Sequence, residues 1–111
     1  MRLLRFGSEQ SRSIDRFGSR EFHLAPLART TESQISYARL GAGGIIGRHP
    51  AASRQVLAVV EGSGFVSGAD GVEQAIAAGT AAVWEEGEEH LTRTDHGLVA
   101  IVIEGAGVET T

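Results

Sequence analysis

The chain has 111 residues, a net charge of −4 and no cysteine. Its length fits one domain with a single core, and the missing thiols exclude disulfides, thiolate metal sites and a thiol nucleophile. Nine arginines and four acids lie in residues 1–60, ten acids and Arg93 alone follow, and lysine is absent; that balance argues against nucleic acid as a partner, which needs clustered positive charge.

Residues 1–19 carry Arg-Phe-Gly-Ser twice, at 5–8 and 16–19, in a polar, Ser-rich setting. They read as an N-terminal arm with an edge strand at 3–6. A short strand is expected at 21–24, stopped by Ala25-Pro26 because proline removes a ladder donor, and 28–33 reads as polar linker. From Ser33 onward short apolar runs are broken by glycine at intervals of roughly ten residues, the pattern of an all-β sandwich or barrel. Strands are expected at 34–40, before the Gly41-Ala42-Gly43-Gly44 loop, and at 45–48, leading into His49-Pro50. The next, at 55–60, is closed by a glycine turn at 61–64.

Asp70-Gly71 is a hairpin signal that joins 65–67 to 72–76. Alanine-rich 75–78 has helical propensity, but the seven residues between Gly71 and Gly79 are too few for a stable helix, so strand is expected. Strands at 81–84, 89–93 and 98–104 complete the series. The longest apolar run, 98–103, is far below membrane-spanning length, and a cytoplasmic protein with no membrane association is the expectation.

Two histidines stand at fixed distances from glycines. Gly43, five residues, His49 is followed by Gln55, six residues and Gly62; Gly79, five residues, Glu85 is followed by Gly87, two residues and His90. In both intervals and in the gap between them the chain resembles a small single-domain cupin of the RmlC-like superfamily over roughly residues 33–104. Ala51 stands where the family's first motif has its second histidine, and Gln55 where it has glutamate. In the second motif Glu85 replaces proline and Thr94 replaces asparagine. The resemblance implies an all-β jelly-roll barrel (a double-stranded β-helix), one domain over 1–111 with arm and edge strands at 1–32 and the barrel core at 33–104. It also implies a homodimer.

Carried over position by position, the resemblance makes His49, Gln55 and His90 the candidate ligands of one divalent metal: iron, manganese, nickel, zinc or copper. Imidazole nitrogens suit these ions, whereas the neutral amide of Gln55 is a weaker donor than a carboxylate. Glu85, Glu86, Glu88 and Glu89 crowd four carboxylates beside His90. They read as a solvated turn, from which Glu86 or Glu88 is the candidate to replace the missing carboxylate ligand. Tyr37 and Arg39 share one face of their strand by the period of two. On an inner face they would supply a phenol donor and an anion clamp to a ligand pocket, and on an outer face they are surface residues. Trp84 ends the strand before the acidic turn and is a core residue, a subunit contact or a pocket wall.

His23 and His96 fit no spaced motif, and no nucleophile elbow, P-loop or dinucleotide fingerprint is present. The expected function is binding of a divalent metal, a small-molecule ligand, or both, inside the barrel. The alternatives are a metal-dependent oxygenase or isomerase acting on a small organic acid, and a structural dimerisation module without metal.

Overall fold

The alternating apolar pattern is realised as eight strands in a computed structural model that describes residues 1–111. They are β1 (Arg12–Ile14), β2 (Arg20–Arg29), β3 (Ser33–Pro50), β4 (Gln55–Ser67), β5 (Gln74–Ala77), β6 (Ala81–Trp84), β7 (Glu89–Arg93) and β8 (Leu98–Gly105). Single 3-10 turns at Ser8–Gln10 and Arg16–Gly18 are the only helical pieces. No helix is long and apolar enough to cross a membrane.

Two long strands organise the barrel. The first half of β3 pairs with β2 and β8 and its second half with β7; β4 passes in the same way from β8 and β6 to β7 and β5, every pairing antiparallel. The ring β3–β8–β4–β7 therefore closes on itself, and the jelly-roll barrel that the resemblance implies is the observed fold. Along these strands alternate residues point inward. Ala38, Leu40, Leu57, Val59, Leu98 and Ala100 meet Phe22, Ile76 and Trp84 in one core cluster.

Several boundaries differ from expectation, each for a local reason. Residues 3–6 form no strand, because the edge of β2 that an arm strand would occupy is taken by β1, with Arg12 opposite Leu24 and Ile14 opposite Phe22. β2 runs through Pro26 to Arg29 instead of stopping. Beyond Leu24 its outer side has no partner, and at such an edge a proline removes no ladder bond. The polar segment after it shrinks to residues 30–32.

The glycine clusters at 41–44 and 61–64 are bends inside continuous strands, not loops between separate ones. At the second, the register with β8 slips between Val59 and Glu61, so two residues oppose one and the strand turns the barrel corner. Gly62 takes a φ of 79° there, and a Cβ on it would collide with the Gly97 carbonyl. By contrast, β6 and β7 fall where the sequence places them, and β5 is a strand.

Candidate functional site

The bend in β3 brings its last residues onto β7, and there His49 and His90 are direct register partners. Their ring centroids lie 4.4 Å apart with the planes tilted by 51°. Each imidazole is oriented by its own strand. His49 Nδ1 lies 2.7 Å from the Gly47 carbonyl oxygen and His90 Nδ1 lies 3.2 Å from that of Glu88. A carbonyl only accepts, so Nδ1 carries the proton in both rings and His49 Nε2, which makes no hydrogen bond, is left with a lone pair.

His90 is 2% exposed, with Trp84 packed on its other side at 4.6 Å between centroids. Burial pushes its pKa below the ordinary histidine value, and a charge on His49 pushes the same way; the Glu88 and His49 carbonyls and the Glu104 carboxylate oppose the shift. His90 is thus held neutral near pH 7. Trp84 donates Nε1–H to the Ser67 carbonyl at 3.2 Å, which holds it as a wall behind His90, and it also lines a second, separate cavity with Ile76 and Glu88.

A polar row crosses the barrel beside the histidines. Gln34 on β3, Glu104 on β8, Gln55 on β4 and Trp84 on β6 are successive register partners. Gln55 donates Nε2–H to Glu104 Oε2 at 2.8 Å, which turns its amide oxygen away from the carboxylate. Two residues deeper, the same strands present Ser36, Val102, Leu57 and Ala82, so the polar band lies over an apolar floor.

These side chains line a cavity of about 320 Å³ that includes His49, Gln55, Glu104, Gln34 and Ser36. Its remaining wall comes from the arm: Arg12 and Ile14 of β1 and Arg16 and Phe17 of the following turn. The Phe17 ring lies flat on His49, at 4.2 Å between centroids and 4° between planes, and the Arg16 guanidinium sits 4.9 Å over that ring. The seat is specific. A Cβ at residue 47 would collide with the Phe17 carbonyl, and Gly47 N–H donates to Ser19 Oγ at 2.9 Å.

The remaining candidates lie elsewhere. Glu88 accepts from the backbone N–H groups of Glu85 at 3.1 Å and Ala69 at 3.3 Å, so it clamps its own turn, while Glu86 is exposed. Neither lines the cavity, and the carboxylate beside the histidine pair is Glu104. Tyr37 and Arg39 have the parity opposite to the lining residues Gln34 and Ser36 and face outward. Tyr37 is covered by Phe6 of the arm, edge to face at 6.0 Å. Ala51 is buried and bonded through its backbone to Gly87 and Glu88.

As placed, these groups do not close a resident metal centre. No three His, Asp or Glu side chains are arranged to hold an ion, and His49, His90 and the neutral Gln55 amide fall short of the imidazole and anionic donors such centres use. Two features of the site were missed in the sequence. Glu104 was legible as an inward position from the alternation of Leu98, Ala100 and Val102, but no local signal tied Phe17 to His49.

No protein-family model matches the chain, and no curated protein matches it either. Solved structures do. An RmlC-like cupin from Shewanella frigidimarina is 24% identical, with a TM-score of 0.76 over 98% of this chain and 95% of that one. A cupin superfamily protein from Desulfitobacterium hafniense is 14% identical, with a TM-score of 0.72 over 96% and 99%. The polyketide cyclase RemF from Streptomyces resistomycificus is 17% identical, with a TM-score of 0.80 over 94% and 80%. With the closed strand ring and the paired histidines at its motif positions, these likenesses establish that the chain has the fold of a small RmlC-like cupin.

Proposed function

We propose that this barrel binds a small organic acid in the cavity beside His49. The observation that carries the reading is the makeup of that cavity: an apolar floor at Leu57 and Val102, the open His49 Nε2 and the Gln55–Glu104 pair on one wall, and two arginines on the arm. A volume of about 320 Å³ is at the small end of ligand pockets. Arg12 and Arg16 attract the ligand's anionic group, its apolar body covers Leu57 and Val102, and a hydroxyl or N–H donates to Glu104.

Calorimetric titration with a panel of small hydroxy acids, 4-hydroxybenzoate and salicylate among them, tests this. Sub-millimolar binding is expected, with His49→Ala weakening it about tenfold through one lost polar contact. Absence of binding for every acid up to about 5 mM would overturn the reading.

A second reading is a metal-dependent enzyme, an oxygenase or isomerase acting on such an acid. The register pairing of His49 with His90 favours it, although the ligand would have to complete the ion's coordination. One structural neighbour, RemF, is itself named an enzyme, and that is a fact about RemF. Metal analysis of untagged protein grown with iron, manganese, nickel, zinc and copper separates the readings. About one equivalent, lost in His90→Ala, supports an enzyme, and less than about a tenth of an equivalent removes it.

A further inference from the structure

Trp84, which backs His90, also lines a second cleft, of about 540 Å³, whose rims are β5 and β6. Each of these strands pairs with β4 alone, so each keeps a free edge. Hydrogen-bond alternation shows which backbone groups lie there. Val59 accepts from Gly79 N–H and donates to the Thr80 carbonyl, so farther along the ladder Leu57 and Gln55 bond Ala82 and Trp84, and Ala81 and Val83 turn their N–H and C=O groups away from β4. Ala78 N–H donates to the Gly62 carbonyl, and by the same alternation Ala75 turns its groups outward on β5. All three residues line the cleft and are exposed, and none is bonded elsewhere in the chain.

Exposed strand edges are ordinarily blunted by lysine, proline or an inward charge. From Gln74 to Trp84 there is neither a charged residue nor a proline, and Val83 is 42% exposed. The charge of the cleft comes from Asp70 and Glu88, and neither forms an ion pair. Arg48 donates to the Gly68 and Ala69 carbonyls but does not line the cleft.

We propose that β6 accepts an extended peptide of a partner protein as an added strand, with an apolar side chain and, two residues along, a lysine or arginine turned into the cleft. The free N–H and C=O of Val83 pair with the central residue of the peptide, and that pairing sets the parity: its two neighbours fall opposite Ala82 and Trp84 and point inward with them. Ala82 packs against the core cluster that contains Ile76, so an apolar side chain suits the first position. At the second, Glu88 stands against Gly68 beside the Trp84 ring, with Asp70 on the same loop, and a cation suits it. An isolated amine would use the carboxylates and leave the edge donors and acceptors idle; a peptide strand uses both.

Acetyl-Thr-Leu-Thr-Arg-Thr-amide carries leucine and arginine at that spacing, and Trp84, the only tryptophan in the chain, reports its arrival by fluorescence. Saturable binding with a Kd of about 0.1 mM is expected. N-methylation of the central threonine removes the N–H that meets the Val83 carbonyl and should weaken binding at least tenfold, as should glutamate in place of the arginine. Val83→Pro removes only an outward N–H of an edge strand, so it should melt near the parent chain and lose the peptide. If that variant fails to fold, the N-methylated peptide makes the same test on the unaltered chain. No saturable binding up to about 2 mM, or equal binding of the N-methylated or the glutamate peptide, would overturn the proposal. So would a dimer of the parent chain that Val83→Pro abolishes, because a second copy would then occupy the edge.

Discussion

His90 has Trp84 on one face and His49 on the other, and a proton on it must be accommodated without water. The sign of the consequence follows from its lowered pKa. Above about pH 6.5 the group is neutral in both folded and unfolded chains and contributes nothing to the pH dependence. As pH falls below that value the unfolded chain takes up the proton while the folded one resists, so stability falls by at most about 1.4 kcal/mol per pH unit until the folded pKa is reached. Thermal melts between pH 5.5 and 7.5 should show a lower Tm at the acid end, and His90→Gln should flatten that limb. An unchanged slope in the variant would place the titrating group elsewhere. The two histidines were legible because their distances from turn glycines survive in the sequence, whereas Glu104 has an inward parity but no motif spacing, and the more conspicuous glutamates at 85–89 are used by the fold in a turn and an Arg54 ion pair at 2.9 Å.

At the scale of elements, the two long strands owe their reach to the glycine bends. Gly62 combines a positive φ with contact against the Gly97 carbonyl, so Gly62→Ala meets strain and collision together. The variant should lose about 1–3 kcal/mol in urea unfolding, and a loss under about 0.5 kcal/mol would mean the corner can shift. The same glycines misled the sequence reading. A bend within a strand and a turn between strands call for the same residue types, and only the neighbouring strand, β8 here, decides between them. Where no such corner intervenes, as in β6 and β7, alternation and flanking turn residues were sufficient.

Over the whole molecule the arm and the barrel divide the work. The ring β3–β8–β4–β7 closes without β1, so removing residues 1–19 should leave a folded barrel by circular dichroism. Yet Arg12, Ile14, Arg16 and Phe17 form one side of the cavity, and the truncated chain should bind the small acids at least tenfold more weakly. Undiminished binding would move the ligand site away from the arm. None of this was readable locally, since Phe17 and His49 are far apart in sequence and only folding of the arm onto Gly47 brings them into contact.

Phe17 itself holds φ 59° and ψ 26°, a left-handed conformation that costs a side-chain-bearing residue about 1–2 kcal/mol. Its stack on His49 returns about 0.5–1.5 kcal/mol. The stack therefore offsets much of the backbone strain, and the close seat on Gly47 keeps the ring over the imidazole. Any side chain at residue 47 would unseat Phe17 and uncover one face of His49 without altering the histidine itself.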